Sequence, residues 1–312
     1  MNATAQVVKN GGNKDDMKRS QARKRKMERA AVIVGFLFVP MLLLIVFTYV
    51  PLAEMIEFSF LKWDGISKNR EFIGFANYKE VFTRPEYFKV LLTSVYYFVG
   101  SVIQIVLALY FATVLNYKIK GKNFFKGVIF FPYLINGVAI GFMFLYFYKE
   151  GGTLDTVLMA LGVPKEALPL WLGDVKMVNI SLVFVSVWRY LGQNMVMFNG
   201  AIQSVSGDLL EAAEIDGANR WHQFWYIIFP NIKTIVSLNL ILAVKGAISV
   251  FEIPYIMTGG SGNSATFVTK TIQTAFSVRK VGLASAMGVV LLVLIMIVTF
   301  IQQYFFEGKE EA

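Results

Sequence analysis

Cysteine is absent from the sequence. Its absence excludes disulfides, iron–sulfur clusters, thiolate zinc sites and thiol catalysis. Histidine occurs once, at His222, so a metalloprotease helix built on two histidines is excluded as well. Charge is scarce: Asp, Glu, Lys and Arg make up 16% of the 312 residues, against about 25% in ordinary soluble domains. The chain lacks a Gly-x-x-x-x-Gly-Lys-Ser/Thr segment and with it any phosphate-cradling loop of its own, so it is not expected to be an ATPase. An internal repeat is also missing, which argues against the paired halves of many secondary transporters.

Apolar residues are abundant, at 56% of the chain, and mean hydropathy is +0.55. That much apolar surface needs a solvent other than water. Hydrocarbon about 30 Å thick takes about 20 apolar residues per helix. Six stretches qualify: 31–53, 91–115, 127–148, 178–202, 235–257 and 285–306. None alternates in the manner of barrel strands. The expected fold is therefore all-α, a polytopic membrane protein with six transmembrane helices.

The net charge is +9, and its distribution sets the topology. Lys9, Lys14, Lys18, Arg19, Arg23, Lys24, Arg25, Lys26 and Arg29 directly precede the first apolar stretch. Positive-inside topology explains this tail without nucleic-acid binding. The stretch is too long for a signal-peptide core and has no small-residue cleavage site, so it reads as a retained span. Residues 1–30 are then a basic cytoplasmic tail, and 31–306 the membrane domain. The 116–126 loop, with Lys118, Lys120, Lys122 and Lys126, is also cytoplasmic. An even number of spans returns the 307–312 tail to the same side.

The outer loops carry information too. Residues 58–90 mix charges with Trp63, Phe72, Phe75, Tyr78, Phe82 and Tyr87, a composition suited to the membrane interface. Residues 150–177 read as a short helix between turns. Thr258-Gly-Gly-Ser-Gly-Asn-Ser264 reads as a flexible, solvated connection.

One inner segment, Asp208 to Pro230, stands out. Asp208 followed by Glu211 has the spacing of a capping box, which starts a helix at Leu209. Gly217 suits a left-handed stop. An aromatic stretch from about Ala218 should halt before Pro230, where the next span is set up. Small Ala212 and Ala213 permit close approach, and Glu211, Glu214 and Asp216 offer acceptors. The product is a compact cytoplasmic knob fixed to two spans, able to pass force between a soluble partner and the membrane.

Here the sequence resembles a known family. Glu211-Ala212-Ala213, Asp216-Gly217-Ala218 and Ile228-Phe229-Pro230 look like the "EAA" loop of permease subunits of binding-protein-dependent ABC importers, although that pattern ends in Leu-Pro more often than Phe-Pro. The flanks Val187-Trp188-Arg189, Phe251-Glu252-Ile253-Pro254-Tyr255, Thr258-Gly259-Gly260 and Gly74-Phe75-Ala76-Asn77-Tyr78 resemble the carbohydrate branch, the maltose- and glycerol-phosphate-transporter type. The resemblance covers about 30 to 306.

It implies the type I importer permease fold, in a bacterial-type cell membrane with both termini cytoplasmic. The loop 207–230 would dock in a cleft of a nucleotide-binding subunit through Glu211, Ala212, Ala213, Asp216 and Gly217, converting ATP-driven closure into alternating access. It further implies a second homologous permease, two ATP-binding subunits that carry the ATP and Mg, an extracytoplasmic solute-binding protein and a carbohydrate substrate. No cofactor or metal is expected on this chain. An importer for another solute such as glycerol phosphate is the alternative, and a self-contained secondary carrier a more distant one. Amino-acid and metal importers carry similar loops but lack these flanks. A membrane enzyme is disfavoured because no span holds paired carboxylates or a ligand cluster, and lone His222 reads as an interface residue.

Charges inside hydrocarbon face a cavity or a partner. Ser186, Arg189 and Gln193 share one helical face by spacing, as do Lys245, Ser249 and Glu252. These stripes, with Trp188 and Tyr190 nearby, are candidates for the translocation path, and polar glue between helices, or a salt bridge of Arg189 or Lys245 that stabilises one conformer, accounts for them equally well. Gln104 and Asn136 are further intramembrane polar residues.

Overall fold

A computed structural model of the chain describes residues 24–117 and 119–307, with side chains to Tyr304. Most of the basic tail, Lys118 and residues 308–312 therefore lie outside the described residues. The chain divides into a first unit ending at Glu57 and a second beginning at Phe58. The described residues of the first unit belong to one 35-residue helix, α1 (Lys24–Phe58), whose last residue begins the second unit and which has a π-turn at Ile45–Tyr49. Its apolar run carries no side chain buried within the protein, as befits a surface made for lipid or protein.

The second unit opens with a two-residue hairpin, β1 (Leu61–Lys62) and β2 (Glu71–Phe72), antiparallel with Leu61 opposite Phe72. Two short helices follow, α2 (Ala76–Thr83) and α3 (Pro85–Lys89). Next come α4 (Leu91–Val114), α5 (Lys122–Leu134), α6 (Gly137–Phe147), α7 (Thr153–Ala160) and α8 (Val178–Gln203). The rest is α9 (Gly207–Ile215), α10 (Arg220–Gln223), α11 (Phe229–Ile248), α12 (Glu252–Thr258), α13 (Phe267–Ile272) and α14 (Val281–Glu307). The fold is all-α, as the composition implies.

Among the described residues, four helical runs have the length and apolarity to cross a membrane: Lys24–Phe58, Pro85–Val114, Arg220–Thr258 and Val281–Tyr304. The expected third span is not straight. Helices α5 and α6 are bent by 95° about the Ile135–Asn136 junction and make a fifth crossing only as a pair. Pro132 weakens the end of α5, and Asn136 starts α6 afresh by accepting a hydrogen bond from the Val138 amide at 2.9 Å. The expected fourth span exists as the 26-residue α8 but is the most polar of the set. It owes its place to packing, between α4 on one side and α5 on the other. Gly192 makes the second approach possible: a Cβ there would come within 2.5 Å of the Phe130 Cα.

Two apolar clusters run along this bundle. One joins Tyr97 of α4, Phe144 of α6, Leu182 and Val185 of α8, and Ile253 and Met257 of α12. The other joins Ala108 of α4, Phe198 and Ile202 of α8, and Ile232 of α11. A third ties α2 and α3 to α13 and α14 through Val81, Tyr87, Phe267 and Met287. The 258–264 connection differs from expectation. The Thr258 and Ser264 hydroxyls bond at 2.7 Å, Ser264 is buried, and the turn is hydrogen-bonded rather than free. Its glycines serve the positive φ of Gly259, Gly260 and Gly262, not mobility.

Candidate translocation cavity and coupling loop

A cavity of about 460 Å³ opens between α4, α8, α11 and the start of α12. Ser186, Arg189 and Gln193 of α8 line it, which is the stripe expected from helical spacing. Ser249 and Glu252 line it as well. Lys245 and Trp188 are not among its lining residues. Helix α11 ends at Ile248, so the spacing that placed Lys245 and Glu252 on one face stops applying between them, and Lys245 is exposed. Trp188 packs edge-on against Phe144, ring centroids 5.2 Å apart, in the first apolar cluster.

The stripes meet at an ion pair. Arg189 Nη1 lies 2.5 Å from Glu252 Oε2, and the Arg189 side chain is 12% exposed. The pair sits directly on Gly137, the first residue of α6, where a methyl group would overlap both partners. Three helices therefore converge on one charge pair: α6 supplies a bare backbone, α8 the cation and α12 the anion at its positive N-terminal end. The guanidinium also lies over the Tyr190 ring, 5.1 Å from its centroid.

Helix α4 adds Tyr97, Ser101 and Gln104 to the lining, and α11 adds Asn239. Of these only Gln104 stood out in the sequence. The spacing i, i+4 and i+7 of Tyr97, Ser101 and Gln104 carries the missed signal, a third polar stripe. Asn136 does not join the lining. It caps α6 next to Gly137, and the dipeptide Asn136-Gly137 inside an apolar run is the trace of the bend.

The 204–228 segment leaves α8 and enters α11, two helices that line the cavity. Helix α9 begins at Gly207, two residues before the expected start, with Ser206 at the N-cap and no side-chain cap bond. Asp208 lies in the first turn, where its charge suits the helix dipole, so the expected capping box with Glu211 does not form. The C-terminus matches expectation. Gly217 has φ +82°, its amide bonds to Glu214 O at 3.1 Å, and the Ala218 amide bonds to Ala213 O at 2.9 Å. Those two bonds make a Schellman stop. Glu211, Ala212, Asp216 and Gly217 are exposed, Ala213 is half-buried, and no residue of α9 is buried.

After the stop, Asn219 caps α10 by accepting from the His222 amide at 2.9 Å. His222 thus serves by its backbone, and its ring stacks on Tyr226. The aromatic stretch does not halt before Pro230. It continues through a π-turn, Phe224–Ile228, straight into α11, with the Phe229 amide reaching back to Phe224 O. Pro230 follows the π-turn directly, and the widened ladder there accommodates a residue without an amide hydrogen. Arg220 lies over the Tyr117 ring at 4.5 Å and ties this loop to the 115–121 loop. Burial pushes the Tyr117 hydroxyl above its ordinary pKa, and the Arg220 charge pulls it partly back.

Residues 104–309 match the family described as binding-protein-dependent transport system inner membrane component. The chain belongs to that family. It is 35% identical to the probable ABC transporter permease protein YurN of Bacillus subtilis, over 89% of this chain and 98% of that one. It is 33% identical to the multiple sugar-binding transport system permease protein MsmF of Streptococcus mutans, over 86% of this chain and 92% of its relative. Among solved structures, a bacterial ABC transporter that imports the acidic polysaccharide alginate contains a chain of the same fold, with TM-score 0.78, 17% identity, and coverage of 90% of this chain and 96% of that one. This inner membrane component is thus a multi-pass permease subunit of the cell membrane.

Proposed function

We propose that this permease is one half of the pathway of an ATP-driven importer for a sugar or oligosaccharide. The observation that carries the reading is one of connectivity. The 207–230 segment, exposed along α9, joins α8 to α11, and both of those helices line the polar cavity. A push on the loop is therefore a push on the cavity. The sugar assignment is supported by the polar, aromatic-flanked lining and by the printed substrates of relatives such as the multiple-sugar permease.

In this reading, two ATP-binding subunits hold the ATP and Mg and carry out hydrolysis, and one of them receives α9. Glu211, Asp216 and the turn at Gly217 present acceptors and a rigid end, while Ala212 and Ala213 allow close approach. A second, homologous permease completes the cavity, and an extracytoplasmic solute-binding protein delivers the sugar to the outer loops. The termini and the loop then face the cytoplasm. Arg189, Gln193, Ser249 and Glu252 line the route, Trp188 supports it from the core, and Lys245 lies off it.

The test is reconstitution of the whole complex in liposomes with a labelled sugar. Uptake should require ATP, and cysteines introduced at Glu211 and in the ATPase cleft should crosslink. Uptake that persists on an ion gradient with ATP removed would sink the proposal.

A further inference from the structure

The cavity carries two charged side chains, Arg189 and Glu252, and they are bonded to each other. Its formal charge is zero. The remaining polar groups are arranged unevenly. The Ser186 hydroxyl donates to Leu182 O, the Ser249 hydroxyl to Lys245 O and the Asn239 amide to Ile235 O. The two serine donors are used on backbone oxygens, while Asn239 keeps a second amide N–H and the Gln104, Gln193 and Asn194 amides of the lining carry both donors and acceptors. Two buried groups in the lining have no partner, the Tyr97 hydroxyl and the Arg189 Nε–H. Tyr97 is 4% exposed and can both donate and accept.

A ligand matched to this lining must both donate and accept, and bring no net charge. A carboxylate or phosphate only accepts. It would bring a negative charge for which the lining holds one cation, and Glu252 already balances that cation. Sugar hydroxyls donate and accept at once. We infer that this chain's side of the pathway selects uncharged polyhydroxylated solutes over anionic ones such as uronic-acid oligosaccharides or glycerol phosphate. Glu252 sets that choice by cancelling Arg189. The inference rests on the sugar-importer reading and narrows it.

The experiment uses the purified complete transporter in detergent, without its solute-binding protein, so that delivery does not mask the cavity. Equilibrium binding is measured for malto-, cello-, xylo- and fructo-oligosaccharides of three to four units. Oligogalacturonates and alginate oligosaccharides of equal length, and glycerol phosphate, form the anionic set. At least one neutral compound should bind tenfold or more tightly than every anionic one. Glu252→Gln, which frees the cation, should raise the affinity for anions about tenfold relative to that for the best neutral ligand. Equal or tighter anion binding by the unaltered complex overturns the inference, whatever the fold of the variant, and leaves the sugar reading standing. A folded Glu252→Gln complex with unchanged anion affinity relative to that for the best neutral ligand overturns the role of Glu252. Binding of no sugar by a complex that assembles and hydrolyses ATP overturns the sugar reading and this inference together.

Discussion

Gly137 and Glu252 touch so closely that a methyl group on the glycine would overlap the carboxylate. Gly137 therefore holds open the space in which Arg189 reaches Glu252. The groups in the way are the ends of two side chains, which can swing aside, so Gly137→Ala should break the ion pair rather than the bundle. We expect a loss of about 1–3 kcal/mol, the usual range for a methyl forced into a filled site. Thermal melts of Gly137→Ala, Glu252→Ala and the double variant check this. The two losses should be strongly non-additive, with a coupling of about 0.5–3 kcal/mol. Additive losses would show that glycine and carboxylate act separately.

That contact also marks where the sequence stops being informative. Hydropathy located the four runs long and apolar enough to cross and the bent pair, and helical spacing placed Ser186, Arg189 and Gln193 in the lining of one cavity. Both depend on near neighbours. The Arg189–Glu252 pair joins residues 63 positions apart, and no local period relates them. Of Lys245, Ser249 and Glu252, the last two line the cavity and Lys245 does not, because the helix ends at Ile248 between them. The bend at Ile135 was legible only as Pro132 and Asn136-Gly137 within an apolar run, since composition measures how apolar a stretch is and not where it points. The Schellman stop at Gly217 was readable because a left-handed residue so strongly favours glycine.

The turn between β1 and β2 gives a pH signature outside the membrane. The Asp64 carboxylate accepts from the Ile66 amide at 2.9 Å and the Ser67 amide at 2.8 Å. These bonds favour the charged form and hold its pKa down at about 2, below the ordinary value of about 3.9. A depressed acid contributes its stabilisation in full above the unfolded value and loses it as pH falls through the folded one. The turn should be intact at pH 5 and loosen between about pH 4 and pH 2. Carboxyl NMR should show Asp64 titrating near the lower figure. Titration at an ordinary pH would mean the two amides do not bond to it in solution.

Arg189 and Lys245 are both cations within apolar stretches, but their settings differ. Arg189→Ala leaves Glu252 without its cation. For a fully buried pair that costs about 3–5 kcal/mol, and with Glu252 partly exposed we expect about 1–3 kcal/mol and a loss of uptake of tenfold or more. Lys245 is exposed and lies off the cavity lining, so Lys245→Ala should stay within about 0.5 kcal/mol and keep most uptake. Melting curves and uptake in the same liposomes separate the two. Equal damage from both substitutions would place Lys245 on the route despite its orientation.

Gly217 provides the sharpest test of force transfer, because the fold and the contact can be varied separately. At φ +82° an alanine costs about 1–2 kcal/mol, while asparagine tolerates the left-handed region better. Nothing lies within 4 Å of a Cβ built there, so Gly217→Ala acts through the backbone alone. It should misdirect the end of α9 and weaken retention of the ATPase subunits by about fivefold or more, with Gly217→Asn intermediate. Glu211→Ala changes an exposed charge and leaves the helix end untouched, so it should reduce coupled uptake at unchanged melting temperature. Co-purification and ATP-dependent uptake are read for all three variants. If the ATPase subunits stay bound and uptake stays at the unaltered level in every case, α9 is a connector and the drive enters the membrane helices elsewhere.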